Sequence, residues 1–106
     1  MALNATLGMR EETAIIVLDG DLDAATAPIL QEKVERAAEH NPNRLVFDMT
    51  KLAYLSSAGL RQLVYARQKM DDSVHVVLVG ANDRVTQTIR LVGFDQSVTF
   101  SDQMPE

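Results

Sequence analysis

Apolar and polar residues alternate at the start of the chain and then give way to unbroken apolar runs. Every second residue from Leu3 to Met9 is apolar, which predicts a strand over residues 3–9 with one buried face. The continuous apolar run at residues 13–18 predicts a second strand that is covered on both faces. The chain is therefore predicted to open with two strands, joined by a polar turn at residues 11–12.

Three later segments place apolar residues at helical spacing. The first begins with Thr26 and Pro28, which favour a helix start, and ends near Glu39. The third can be capped by Asn82 or Asp83. The predicted apolar stripes of the three helices are Ile29, Leu30, Val34, Ala37 and Ala38; Leu60, Leu63, Val64 and Met70; and Val85, Ile89 and Val92. Gly93 lies where a left-handed helix end is expected, with Phe94 able to pack back across it.

Three further apolar segments predict strands, at residues 44–48, at residues 74–79, and at Val98 with Phe100. The first is short and almost unbroken, as expected of a central parallel strand reached by a right-handed crossover. The resulting order ββαβαβαβ predicts the α/β class, with helices packed against a mixed sheet. We expect residues 1–106 to form a single domain in which residues 102–106 are a loose C-terminal tail.

Composition and charge narrow the possible functions. A chain of 106 residues, 46% of them apolar, is typical of one globular domain. The formal net charge of -5 opposes nonspecific binding to nucleic acid or to an anionic membrane, so neither is an expected partner. The chain has no Cys, which excludes disulfides, thiol catalysis and Cys-bound zinc. It also has no apolar run of ~20 residues and no secretion signal at its start, so we expect a cytoplasmic protein.

Candidate catalytic and metal-binding residues do not form recognisable sites. Asp19, Asp21 and Asp23 imitate the start of a calcium loop, but the required Gly and Glu later in that loop are missing. His40 lies in a polar turn, and His75 lies within an apolar strand, where a packed neutral imidazole is the simpler interpretation. The chain also lacks a nucleophile elbow and a phosphate-binding glycine loop. We therefore predict no catalytic residue, metal or cofactor, and an enzyme is the weakest hypothesis.

A serine pair, Ser56 and Ser57, precedes the second helix, and either serine could cap that helix by accepting a backbone N–H. The surrounding sequence adds to this interpretation. The relevant segments are YLSSAGL at residues 54–60, VFD at 46–48, GDLD at 20–23 and VGF at 92–94. In these segments, which span nearly the whole chain, the sequence resembles the STAS domain of bacterial anti-sigma factor antagonists.

The resemblance implies a partner switch. In such proteins the unphosphorylated form binds an anti-sigma factor that is also a Ser/Thr kinase, and the sigma factor is released. The kinase then phosphorylates its antagonist, and a Ser/Thr protein phosphatase resets it. Matched at Gly59 to the family pattern Asp-Ser-Ser/Thr-Gly, this chain has Ser57 at the phosphorylated position, Ser56 at the acidic position and Ala58 at the second hydroxyl. The antagonist itself would have no cofactor and no catalytic activity.

The predicted partner-binding face follows from topology and from the resemblance together. Loops after successive parallel strands gather at one end of a sheet, so we predict that they form a common surface there. The residues assigned to it are Asp21, Asp23, Ser56, Ser57, Gly59 and Arg61. The alternative hypothesis is a STAS scaffold or ligand-sensing module in a stress-signalling assembly, because a fold alone does not determine function.

Overall fold

The computed structural model describes residues 2–105, and the fold begins with a hairpin. Strand β1 (Leu3–Arg10) pairs antiparallel with β2 (Thr13–Leu22), and the register runs from Leu3 opposite Gly20 to Arg10 opposite Thr13. The two predicted opening strands and the polar turn between them are confirmed. Strand β2 also pairs with a later strand on its other side, so it lies inside the sheet. Its residues 13–18, which were expected to be covered on both faces, are buried on one face and half-buried on the other.

Three helical crossovers build the rest of the sheet. Each later strand pairs in parallel with the strand before it, giving the order β1-β2-β3-β4-β5. The elements after the hairpin are α1 (Ala27–Glu39), β3 (Arg44–Leu55), α2 (Ser57–Lys69), β4 (His75–Val79), α3 (Asp83–Leu91), a short 3-10 helix (Phe94–Ser97) and β5 (Thr99–Ser101). The predicted mixed α/β sheet and its element order are confirmed. Within residues 2–105, no helix is long and apolar enough to cross a bilayer.

All three helices pack against one face of the sheet. Alternate residues of the strands, such as Ile16, Phe47 and Leu78, share one buried cluster with residues from every helix. The helix residues in this core include Leu30, Val34, Leu63, Val85 and Ile89. Ile29 and Val92 were assigned to the buried stripes, but both are exposed, because α3 ends at Leu91 and Ile29 lies at the margin of its stripe. The stripes are otherwise largely buried, as the spacing predicts.

The other face of the sheet carries a smaller apolar cluster. Val46, Val77 and Val79 are buried there with Ile15 packed against them. The C-terminal segment leaves β5 at one edge of the sheet, and the Arg10 guanidinium on β1 donates a hydrogen bond of 2.7 Å to Pro105 O. Since β1 forms the opposite edge, this hydrogen bond links the C-terminal segment to the far side of the sheet. The expectation that the tail is loose remains a prediction, and Met1 and Glu106, which belong to the predicted domain and tail, lie outside the described residues.

Strand β3 is longer than predicted because two bulges interrupt its alternation. Its register against β2 slips by one residue between Asp48 and Lys51 and again between Leu52 and Tyr54. At each slip β3 has one residue more than β2. The extra residue interrupts the alternation of apolar and polar positions, so the sequence no longer shows the period of two that is typical of a strand. The bulged half carries the strand to Leu55, at the entrance to α2.

His75 also differs from its predicted environment. It is the first residue of β4 and is exposed, so the expected packed imidazole is wrong. The four strand residues after it are buried, as the apolar run predicts.

Candidate functional site

Two polar turns meet at the edge of the sheet where the parallel strands end. The last paired residues of β2 and β3 are Leu22 and Leu55, so the turn after β2 and the junction between β3 and α2 begin side by side. The Ser56 N–H donates a hydrogen bond of 2.9 Å to Leu22 O, which links the two segments beyond the strands themselves. The predicted gathering of these loops is therefore observed.

Gly59 sets how closely the two segments approach. A Cβ added at Gly59 would lie 2.5 Å from Leu22 O and 2.7 Å from Leu22 Cγ, distances that side-chain carbons do not tolerate. Gly59 is buried in the first turn of α2. Its contribution to the site is therefore the close contact between backbone segments, because it has no side chain to offer a partner.

The two serines have different roles at the start of α2. Ser56 is the N-cap in an extended conformation, and its Oγ accepts a 3.1 Å hydrogen bond from the Gly59 N–H. Its carbonyl oxygen accepts the Leu60 N–H at 2.8 Å, the first hydrogen bond of the helix. Ser57 follows as the first helical residue and is exposed. Of the serine pair, Ser57 is the one whose hydroxyl is not used as the helix cap.

The neighbouring turn after β2 uses its polar groups to hold its own shape. Asp23 Oδ1 accepts hydrogen bonds from the Ala25 and Thr26 N–H groups at 3.0 and 3.1 Å. The Thr26 Oγ1 accepts the Asp23 N–H at 3.0 Å and donates to Asp21 O at 2.8 Å. Thr26 is the N-cap of α1 by position, as predicted, but its side chain braces this turn instead of bonding the helix. Asp21 and Asp23 are both half-buried.

Arg61 lies one helical turn beyond Ser57 on α2 and is exposed. Both side chains line an open groove between α2 and the end of α3, with a volume of about 460 Å³. The residues that line it are Ser57, Leu60, Arg61, Val64, Val92, Gly93, Phe94 and Ser97. Beside it, Leu91 and Val92 are 78% and 62% exposed.

The α3 side of this groove was not predicted from the sequence, because Val92 was assigned to the buried stripe of α3. Gly93 adopts the predicted left-handed conformation, with a φ of 78°, and Phe94 is buried as expected. A glycine in that conformation marks a helix end, so the signal that Val92 no longer belongs to the helical stripe was available one residue later.

The site is chemically simple. It presents the hydroxyl of an exposed serine, Ser57, at a helix N-terminus. Arg61 lies one turn along the helix, and the neighbouring segment carries Asp21 near the end of β2 and Asp23 in the turn after it. His40 and His75 lie at the other end of the parallel strands, where His40 follows α1 and His75 begins β4. Within residues 2–105, no group of three or more metal-ligating side chains is arranged to hold a metal ion.

Two groups with shifted pKa values lie outside the predicted site. The Tyr65 hydroxyl donates a 3.0 Å hydrogen bond to Glu35, which raises the pKa of Tyr65 above its ordinary value. The pKa of Asp71 is lowered, first by the hydrogen bond from the Ser73 N–H and then by that from the Ser73 hydroxyl. Neither group is among the residues assigned to the predicted partner-binding face.

Comparison with known proteins gives a family match over almost the entire chain. The STAS domain model matches residues 5–106. Among individual proteins, the anti-sigma-F factor antagonist RsfB of Mycobacterium tuberculosis (strain CDC 1551 / Oshkosh) is 27% identical over 96 residues, which cover 91% of this chain and 79% of RsfB.

Solved structures share the fold. An anti-sigma factor antagonist from Mycobacterium paratuberculosis superposes with a TM-score of 0.87 at 22% identity, over 96% of this chain and 87% of the other. The Bacillus cell fate determinant SpoIIAA, solved in its phosphorylated form, gives a TM-score of 0.73 at 16% identity, over 94% and 93% of the two chains. At these identities the likeness establishes the three-dimensional arrangement and not the activity.

Proposed function

The chain belongs to the STAS domain family, and we propose that it is an anti-sigma factor antagonist switched by phosphorylation of Ser57. In this proposal the unphosphorylated protein binds an anti-sigma factor that has Ser/Thr kinase activity, and the sigma factor held by that kinase is released. The name of the relative RsfB and the phosphorylated state in which SpoIIAA was solved are consistent with such a role. The expected location is the cytoplasm, where ATP and sigma factors are found.

The main support for the proposal is that only one of the two serines is used as the helix cap. Ser56 Oγ is engaged with the Gly59 N–H, whereas Ser57 is exposed on the first turn of α2. Phosphorylation of Ser56 would convert the oxygen that accepts the Gly59 N–H into a bulky phosphate ester, close to the tight contact between Gly59 and Leu22. A phosphate on Ser57 would instead project into solvent near the positive end of the helix dipole, where an anion is stabilised. We therefore expect modification at Ser57 to leave the fold unchanged.

The transfer step needs only the hydroxyl from this protein. The Ser57 Oγ attacks the γ-phosphorus of ATP, the bond from that phosphorus to the β,γ-bridging oxygen breaks, and ADP leaves. The hydroxyl proton passes to a base on the kinase, which also binds ATP and magnesium. This chain is thus a substrate and a binding protein, and we assign it no catalytic residue.

Phosphorylation changes the charge of the proposed docking face. It adds about -1.5 to -2 charge at neutral pH, next to a segment that already carries Asp21 near the end of β2 and Asp23 in the following turn. Association then costs more desolvation and meets repulsion from acidic groups on the partner. A Ser/Thr protein phosphatase that hydrolyses the phosphate ester returns the protein to its binding form.

The test is a phosphorylation assay with a candidate anti-sigma kinase and ATP, read by intact mass and by mapping of the modified residue. The parent should gain a single phosphate on Ser57. Ser57→Ala should take up none and should still bind the kinase, because the cap and the Gly59 contact are untouched. Ser56→Ala is the matched control and should retain labelling at Ser57.

Two outcomes would overturn the proposal. Label that persists in Ser57→Ala and maps to Ser56 would place the acceptor one residue earlier. A phosphorylated protein that binds the kinase as tightly as the unmodified protein would mean that the modification is no switch, and the scaffold hypothesis would replace the antagonist.

A further inference from the structure

Ser57 and Arg61 are exposed residues on the same face of α2. Residues four apart on a helix lie on the same face, with Cβ atoms roughly 6 Å apart. Side chains on a helix lean towards its N-terminus, so the Arg61 side chain is directed towards the turn that contains Ser57. Both residues line the same groove, as this geometry requires.

The Arg61 guanidinium is available for a new contact. Within residues 2–105 it makes no ion pair or hydrogen bond, and the residue is exposed. The second arginine of the helix, Arg67, differs because its guanidinium is already hydrogen-bonded. Arg67 donates to Val74 O and to Asp71 O, both at 2.6 Å, and so ties the end of α2 to the following loop.

We infer that Arg61 binds the phosphate carried by Ser57, so that phosphorylation removes a cation from the docking face while it adds an anion. The inference rests on the proposed function, since it needs a phosphate at Ser57. A guanidinium can donate two parallel hydrogen bonds to phosphate oxygens, and an anion placed N-terminal to a cation at this spacing is the favourable order on a helix.

The charges around the phosphate act in opposite directions. Arg61 is the one charged side chain that lines the described groove, and it favours the doubly charged phosphate. Asp21, near the end of β2, and Asp23, in the turn that follows, lie on the segment beside the α2 N-terminus and disfavour that form. Contact with Arg61 therefore lowers the second pKa of the phosphate relative to a protein in which Arg61 is neutralised.

The consequence is a switch with two parts. In the unmodified protein Arg61 is free to pair with an acidic group of the kinase. In the phosphorylated protein the same guanidinium is held by its own helix, so the partner loses an ion pair and meets a phosphate at once. Loss of a contact and gain of repulsion both weaken the complex.

The experiment installs phosphoserine at position 57 of the full chain during translation, which makes it independent of any kinase. The second pKa of the phosphate, ordinarily about 6, is then measured by 31P NMR titration in the parent, in Arg61→Gln and in Lys69→Gln. Lys69 is the matched control, because it is exposed and lies twelve residues along the same helix, about 18 Å away.

We expect Arg61→Gln to raise the phosphate pKa by about 0.5 and Lys69→Gln to change it by less than about 0.1. Equal shifts in both variants, or none in Arg61→Gln, would overturn the inference. Its failure is distinguishable from failure of the proposed function, because the titration does not require that a kinase choose Ser57. A kinase that labels Ser56 would refute the proposed function and leave the titration result standing.

Discussion

The turn after β2 and the junction between β3 and α2 lie side by side, yet they use their polar residues differently. In the first, the Asp23 carboxylate and the Thr26 hydroxyl are engaged in hydrogen bonds within the turn. In the second, Ser56 is the helix cap and Ser57 extends from the helix with an exposed hydroxyl. The first segment is held by its own side chains, and the second leaves one of its two serine side chains outside the helix cap.

This difference separates the proposed phosphorylation site, Ser57, from its structural neighbours. Asp23, Ser56 and Ser57 are all polar, all lie at the same sheet edge and were all assigned to the same binding face. Hydrogen-bond geometry divides them, because a side chain that holds a turn together has less freedom to contact a partner. The substitutions below test that division, starting with the link between the two segments.

Gly59→Ala should have the largest effect on stability, because it forces the two segments apart. The added methyl group would meet Leu22 O at 2.5 Å, and we expect a loss of about 2–3 kcal/mol in the free energy of unfolding. Urea denaturation measures it. Gly8→Ala is the control, since a Cβ there meets no atom within 4 Å, and it should change stability by less than about 0.5 kcal/mol. Equal losses in both variants would show that the contact with Leu22 is unimportant.

Asp23→Ala should come next, with a loss of about 1–2 kcal/mol, because the Ala25 and Thr26 N–H groups lose their acceptor. Asp23→Asn keeps an acceptor oxygen but removes the charge, so it should stay within about 0.5 kcal/mol of the parent. Thermal unfolding of the pair gives the structural role, and kinase affinity of the Asn variant gives the role of the charge. If Asp23→Ala were as stable as the parent, the turn would not depend on this carboxylate.

The serine pair should separate by a smaller margin. Ser56→Ala removes the acceptor for the Gly59 N–H and should cost about 1 kcal/mol, whereas Ser57→Ala should cost less than about 0.5 kcal/mol. Ser56→Asp should keep the cap, since Asp is equally good at that position, and should change the phosphorylation rate by less than about tenfold. Stability and single-turnover rates are the measurements. A larger loss in Ser57→Ala than in Ser56→Ala would reverse the assignment.

The smallest expected effect on stability is that of Asp71. This residue follows the C-terminal end of α2, away from the two polar segments, so it gives a value with which their effects can be compared. Because the folded pKa of Asp71 is below its unfolded value of about 3.9, its contribution to stability is present above that value. It is lost as the pH falls through the lower folded pKa. The parent should therefore exceed Asp71→Ala in stability at neutral pH, and the difference should shrink on acidification. A difference that is independent of pH would mean that the carboxylate charge has no part in it.

The sequence predicts the fold well wherever periodicity is regular. The alternation from Leu3 to Met9 and the apolar runs of β2 and β4 each correspond to a strand, and Asn82 is one of the two proposed caps of α3. Periodicity fails in the second half of β3, because each bulge adds a residue and shifts which side chains face the core. A local pattern cannot reveal a bulge, whose cause is the pairing with another strand.

The candidate site is only partly predictable, because local sequence position identifies some of its residues and contacts in the folded chain determine the others. Ser57 and Ser56 could be identified from their position before a helix and from the family resemblance. The roles of Gly59 and Thr26 could not, because each depends on a contact that exists only in the folded chain: Leu22 for Gly59, and the Asp21 carbonyl for Thr26. The groove was missed since Val92 continues the helical spacing beyond the last residue of α3.

The order of strands in the sheet has a consequence for how the chain folds. Because β1 to β5 lie side by side in the order of synthesis, every strand can pair with one that has already emerged. The two polar segments and Gly59 fall within residues 20–60, so their pairing needs neither β4 nor β5. We therefore expect substitutions in β5, the last strand to be added, to accelerate unfolding more than they slow folding.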